Sequence, residues 1–182
     1  RQRQMCIRDS AALASEDDVA RAVESAHAAY LNWRDVSLAK RTAIMFRFRE
    51  LLNERKGELT EIITEEHGKV IDDALGEIAR GQEVVEYACG ITSHLRGHFS
   101  EQVSTGYDIH SVRQPIGVAA IISPFNFPAM VPMWFFPIAI AAGNAVVVKP
   151  SEKNPSAALW MAKLWKEAGL PDGVYTCLLY TS

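Results

Sequence analysis

Two short, uninterrupted apolar runs constrain this chain most: Gly117 to Ile122 (GVAAII) and Ala145 to Lys149 (AVVVK). A strand with one face in water alternates polar and apolar residues, so unbroken runs of this length predict strands covered on both faces of a parallel sheet. Between them Ala129 to Ala142 predicts a buried helix, with Gly143-Asn144 as the turn into the second strand. After AVVVK, Asn154 is expected as an N-cap with Pro155 at the first helical position. Trp160, Met161, Leu164, Trp165 and Ala168 would form the apolar face of that helix, and Gly169 and Pro171 would end it. A third strand is expected over Gly173 to Thr176. Strand, helix, strand, helix, strand predicts a right-handed βαβ unit of an open sheet, with ligands at the carboxyl ends of its strands.

The first half has a different period. Ser15-Glu16-Asp17-Asp18 has capping-box form and precedes Val19, Ala22, Val23, Ala26, Tyr30 and Trp33 at helical spacing. A second helical pattern runs from about Ser37 to Gly68, a plausible left-handed terminator, and a third from Ile71 toward Gly90. Val103 to Arg113 alternates β-branched and polar residues around Gly106 and predicts one or two strands. The expected fold is therefore α/β: a helical part over residues 11–102, a strand segment over 103–114 and a βαβα core over 115–176.

Function classes can be narrowed by charge and composition. With 48% hydrophobic and 23% charged residues the chain is expected to be a soluble globular protein, and the net charge of -3 gives no electrostatic reason to expect nucleic acid or an anionic membrane as partner. The most apolar stretch, Phe127 to Ala142, is too short to span a bilayer comfortably and holds Pro132 and Pro137. Cys6, Cys89 and Cys177 are odd in number and lack zinc-type spacing, so neither disulfides nor a metal site is expected, and a cytoplasmic setting fits. Arg1 to Ser10 and Cys177 to Ser182 resemble translated sequencing-adaptor sequence and are expected to be non-native tails.

Two loops carry the candidate chemistry. Ser123-Pro124-Phe125-Asn126-Phe127-Pro128 follows the first buried strand and contains no G-x-G-x-x-G, so the ordinary dinucleotide fingerprint is absent. The bland interpretation is a proline-fixed turn. The same rigidity would make the Asn126 amide a preorganised hydrogen-bond donor at a strand end. Lys149-Pro150-Ser151-Glu152-Lys153 follows the second strand, either as a solvated charge cluster or as a ribose site, because an acid at this place in a dinucleotide fold accepts from ribose hydroxyls.

Taken together, RQPIGV (Arg113 to Val118), SPFNFP, Gly143-Asn144, KPSEKNP (Lys149 to Pro155) and AGLPDGV (Ala168 to Val174) resemble the aldehyde dehydrogenase superfamily, over about residues 11–176. Within it the chain is most similar to the CoA-acylating methylmalonate-semialdehyde dehydrogenases. The resemblance implies a truncated, Rossmann-like NAD-binding domain. It implies that Asn126 stabilises the oxyanion formed when a cysteine attacks the aldehyde. It further implies that the Ser123 backbone and Phe125 line the NAD site, that Lys149 and Glu152 hold the adenosine ribose, and that Lys153 is a neighbouring NAD contact. Arg80, in GEIARGQE, matches an arginine that would hold the substrate carboxylate.

The implied reaction oxidises malonate or methylmalonate semialdehyde with NAD, transfers the acyl group to coenzyme A and loses carbon dioxide, as in β-alanine, valine or inositol breakdown. The family nucleophile is expected beyond Ser182, so the chain itself is expected to be an inactive fragment of a homo-oligomer, with residues 103–114 contributing to assembly. Two alternatives stay open at this point. One is a non-acylating aldehyde dehydrogenase that hydrolyses its thioester. The other is a non-catalytic nucleotide-binding or assembly module.

Overall fold

In the computed structural model, which describes residues 13–179, helix α1 (Glu16–Trp33) starts at the expected capping box. The Ser15 hydroxyl accepts from the Asp18 amide at 3.2 Å, and the Asp18 carboxylate accepts from the Ser15 amide at 2.8 Å. Helix α2 (Leu38–His67) runs 30 residues, breaks its regular dihedrals only at Arg55 (φ -112°), and stops at Gly68, which adopts the expected left-handed conformation (φ 88°). Helix α3 (Ile71–Cys89) turns back along it, and the one-turn helix α4 (Ile91–His94) follows.

An antiparallel hairpin, β1 (Phe99–Ser104) and β2 (Tyr107–His110), comes next, and all of its residues are exposed. Its first strand begins at Phe99, ahead of the expected start at Val103, because Phe99 pairs with His110 across the hairpin. Its outward side chains include Phe99, Val103, Tyr107 and Ile109.

The α/β part follows the expected order. Strands β3 (Val118–Ile122), β4 (Ala145–Lys149) and β5 (Tyr175–Cys177) form a parallel sheet ordered β3-β4-β5, with α5 (Met130–Ala142) and α6 (Ser156–Glu167) as the crossovers. Strand β5 runs through Cys177, and the Leu178 amide donates to the Val148 carbonyl at 2.9 Å, so the sheet continues past Thr176. Strand β4, central in the sheet, is buried from Ala145 to Val148 as its unbroken apolar run predicts.

Strand β3 departs from the expectation of burial on both faces. Ala120 and Ile122 are exposed, Ile122 at 77%, because β3 lies at the sheet edge and α1 packs chiefly across β4. Val19 and Val23, expected on the packed side of α1, instead line a groove of about 540 Å³ with Val118, Ala120, Ile122 and Lys149.

The main core lies between the α2–α3 pair and the sheet crossovers. Phe48 stacks on Trp165 with ring centroids 3.8 Å apart, and Phe136 meets both edge-on. Such aromatic pairs contribute about 0.5–1.5 kcal/mol each beyond the area they bury. Trp33, fully buried, satisfies its indole N–H on the Ile140 carbonyl at 2.9 Å, tying α1 to the end of α5. That end is shaped by Gly143, which is left-handed (φ 103°) and packs so closely on the Arg41 guanidinium that a Cβ would occupy its place. Asn144 completes the corner. Its carbonyl oxygen accepts from Ile116 and Gly117 at 2.7 and 3.0 Å, and its amide donates to Ala139 at 3.1 Å, which joins the start of β3 to α5.

Candidate active site

Parallel pairing brings the two candidate loops together. Ile122 is the register partner of Lys149, and the Ser123 amide donates to the Lys149 carbonyl at 3.1 Å, so both loops leave the same end of the sheet side by side. That end is the carboxyl end, where a parallel sheet offers its ligand crevice.

On the β4 loop, Lys149 Nζ lies 3.6 Å from a Glu152 carboxylate oxygen, and both side chains are about one-third exposed. Its own backbone amide, then the nearby Lys149 and Lys153 charges, hold the Glu152 carboxyl below its usual range, against the effect of partial burial. An acceptor beside a donor at this place suits a vicinal pair of ribose hydroxyls. The apolar groove that Lys149 helps to line opens next to them. Lys153 turns the other way, its ammonium 4.4 Å from the centre of the Phe125 ring, and so fastens one loop to the other.

On the β3 loop, Asn126 is exposed, and its side-chain amide makes no hydrogen bond among the described residues. Its neighbours are held. Asn154 donates its amide to the Phe125 carbonyl at 2.5 Å, and Lys69 places its ammonium 4.0 Å from the centre of the Phe127 ring. The Ser123 amide is committed to the sheet and its hydroxyl is buried with no partner among the described residues, which leaves the carbonyl as its polar group for a ligand there.

The bond from Asn154 corrects its expected role as an N-cap. Helix α6 begins at Ser156, and its first turn is capped from a distance by Glu66, which accepts from the Ser156 amide at 2.9 Å and from its hydroxyl at 2.8 Å. Burial pushes the Glu66 carboxyl upward, and the two Ser156 bonds oppose that shift. Helix α5 is treated likewise. One carboxylate oxygen of Glu77, whose side chain is wholly buried, accepts from the Ala129 and Met130 amides at 2.8 and 3.0 Å, while the other meets the Lys69 ammonium.

The helix N-terminus that a dinucleotide pyrophosphate would use after the first strand is thus already filled by a carboxylate. These residues fit the ribose of a dinucleotide, but they leave no room for its pyrophosphate at α5. Between the two caps His67 stacks on Phe125 with ring centroids 6.3 Å apart. Burial, then the Lys69 charge, lower its pKa, and neither ring nitrogen has a partner among the described residues.

The remaining expectations fall elsewhere. Arg80 lies on the exposed side of α3 and forms no ion pair among the described residues, while the next residue, Gly81, lets α3 press against Met133 of α5. Cys6 lies outside the described residues. Burial pushes the Cys89 thiol up to about 11 and the Cys177 thiol up to about 12, so both are protonated at neutral pH and poor nucleophiles. Among the described residues no group of His, Cys, Asp and Glu could hold a metal ion, and no helix is long and apolar enough to cross a membrane.

The same fold recurs in known proteins. The model of the aldehyde dehydrogenase family matches residues 6–181. The malonate-semialdehyde dehydrogenase of Pseudomonas aeruginosa is 48% identical over 162 residues, which cover 89% of this chain and 33% of that protein. Crystal structures of a methylmalonate-semialdehyde dehydrogenase from Oceanimonas doudoroffii and of a Sinorhizobium meliloti protein assigned the same activity and complexed with NAD superpose with TM-scores of 0.92 and 0.91. They are 49% and 47% identical, and each match covers 93% of this chain and 35% of the other. The chain spans about a third of the length of these relatives.

Proposed function

The chain belongs to the aldehyde dehydrogenase family, and from that premise we propose that the protein carrying it is an NAD-dependent, CoA-acylating dehydrogenase of malonate or methylmalonate semialdehyde. The observation that carries this proposal is a pairing of strand ends. An unengaged amide, Asn126, stands at the end of β3, and a ribose-type pair, Lys149 and Glu152, stands at the register-matched end of β4. NAD, when bound, supplies the acceptor for the aldehyde hydride.

The chain's own residues do the rest of what belongs to them. Lys149 donates to, and Glu152 accepts from, the adenosine ribose, with Phe125, Lys153 and the Ser123 carbonyl as further walls and contacts of the cofactor site. Asn126 donates to the aldehyde oxygen as negative charge gathers there during thiol attack, and the donor must be in place beforehand to lower the barrier. Arg80 holds the substrate carboxylate through paired charge-assisted hydrogen bonds, which a neutral aldehyde cannot use. The assembled enzyme is a homo-oligomer of the cytoplasm, with the exposed β1–β2 hairpin among its contacts.

The test uses the full-length protein with malonate semialdehyde, NAD and coenzyme A. Acetyl-CoA should form only when CoA is present. Arg80→Gln should lower kcat/KM for malonate semialdehyde more than tenfold and leave propanal oxidation almost unchanged, since loss of one partner of a desolvated charge pair costs about 2–5 kcal/mol. Free acid formed at the same rate without CoA would favour a hydrolytic aldehyde dehydrogenase. Equal losses on both substrates would remove Arg80 from substrate recognition.

A further inference from the structure

We propose that Glu77, together with Lys69, is the positioning device that holds the Asn126 amide ready for catalysis; this rests on Asn126 acting as the oxyanion donor. Three contacts define the device. One Glu77 oxygen accepts from the amides of Ala129 and Met130, the two residues that begin α5 just after Asn126-Phe127-Pro128. The other oxygen pairs with Lys69, whose ammonium also sits over the Phe127 ring. The residue after Asn126 is therefore gripped from the α2–α3 turn and the helix start beyond it from the first part of α3.

A carboxylate with no solvent exposure is a costly way to cap a helix. Desolvating the charge is unfavourable unless its hydrogen bonds are complete, and a short polar residue next to Ala129 would cap the turn without that cost. What the distant carboxylate adds is geometric. It ties the loop to a different part of the chain, across 52 and 53 residues, and stops the Asn126 segment from pivoting about the first turn of α5. Because a preorganised donor must not move when charge develops, the restraint acts on the chemical step and not on cofactor binding.

The test measures single-turnover NADH formation by the full-length enzyme at saturating NAD and malonate semialdehyde. It compares the wild type with Glu77→Gln, Asn126→Ala and the double variant. Glu77→Gln keeps the side-chain volume but sets an amide N–H against the Lys69 ammonium, so it should slow the single turnover about tenfold while the Kd for NAD stays within twofold. In the Asn126→Ala background the same change should cost less than twofold, because a restraint on an absent donor has nothing to restrain.

A full tenfold loss in both backgrounds would make Glu77 a structural cap and overturn the proposal. So would a wild-type rate for Glu77→Gln beside a slow Asn126→Ala. A wild-type rate for Asn126→Ala itself would instead overturn its oxyanion role, and the proposal with it. If Glu77→Gln does not fold, Lys69→Met reads the same quantity: its loss must likewise vanish in the Asn126→Ala background, and persistence of the loss would overturn the proposal.

Discussion

Asn126, Lys149 and Glu152 were visible to sequence reasoning because each stands at or just beyond the end of a strand that could be read from its own residues, and the sheet register then brings those strand ends together. Glu66, Lys69 and Glu77 were not. Their partners Ser156, Phe127, Ala129 and Met130 lie tens of residues away, and no local pattern marks a glutamate that caps a distant helix. Asn154 misled for the related reason that its side chain turns to donate to the distant Phe125 carbonyl, which leaves its oxygen away from the first turn of α6 and without a partner among the described residues. At this scale the prediction concerns cofactor choice. Glu152 stays ionised at neutral pH, since its carboxyl is held below the usual range, and a ribose 2′-phosphate beside it would be repelled. Two like charges about 4 Å apart at a water-exposed site repel by about 1 kcal/mol. Glu152→Gln in the full-length enzyme should therefore narrow the NAD-over-NADP ratio of kcat/KM about fivefold, which steady-state kinetics with both cofactors would check. An unchanged ratio would place Glu152 away from the 2′ position.

The elements themselves were largely legible: the capping box of α1, the left-handed stop at Gly68, both crossover helices and the order of the parallel strands follow from local chemistry and periodicity. What escaped was the environment of an element, as with β3, whose apolar run predicts two covered faces while its edge position leaves Ile122 in the open. The corner between α5 and β4 offers the test at this level. Gly143 and Gly68 are both left-handed, but a Cβ at Gly143 would meet the buried Arg41 guanidinium and Pro115, whereas one at Gly68 meets nothing within 4 Å. Gly68→Ala should cost about 1 kcal/mol, the penalty for an L-residue in that conformation. Gly143→Ala should cost about 2–4 kcal/mol, since overpacking adds to it. Melting temperatures of the two full-length variants should rank accordingly, and equal drops would show that the Arg41 side chain moves aside freely.

Across the whole molecule, the α/β class and the family could be recognised from several motifs in order, because each motif marks one part of a single sheet-and-loop arrangement. The linkage among those parts could not, since it runs through long-range contacts. The chain of 182 residues is predicted to produce no NADH above a buffer blank with NAD and malonate semialdehyde, because an oxyanion donor supplies only part of the catalysis and the described thiols, the buried Cys89 and the half-buried Cys177, are protonated. Turnover by the purified chain would show a nucleophile that family resemblance does not place within it. The twin caps from the end of α2 and the first part of α3 also set the unit in which this scaffold can be engineered. Glu66 grips the helix after one loop and Glu77 the helix after the other, so residues 66–77 must travel with 123–130 and 149–156 in any graft. A loop transplanted alone into another aldehyde dehydrogenase would arrive without the side chains that give it its shape, and cofactor and substrate preference would have to be redesigned as one block.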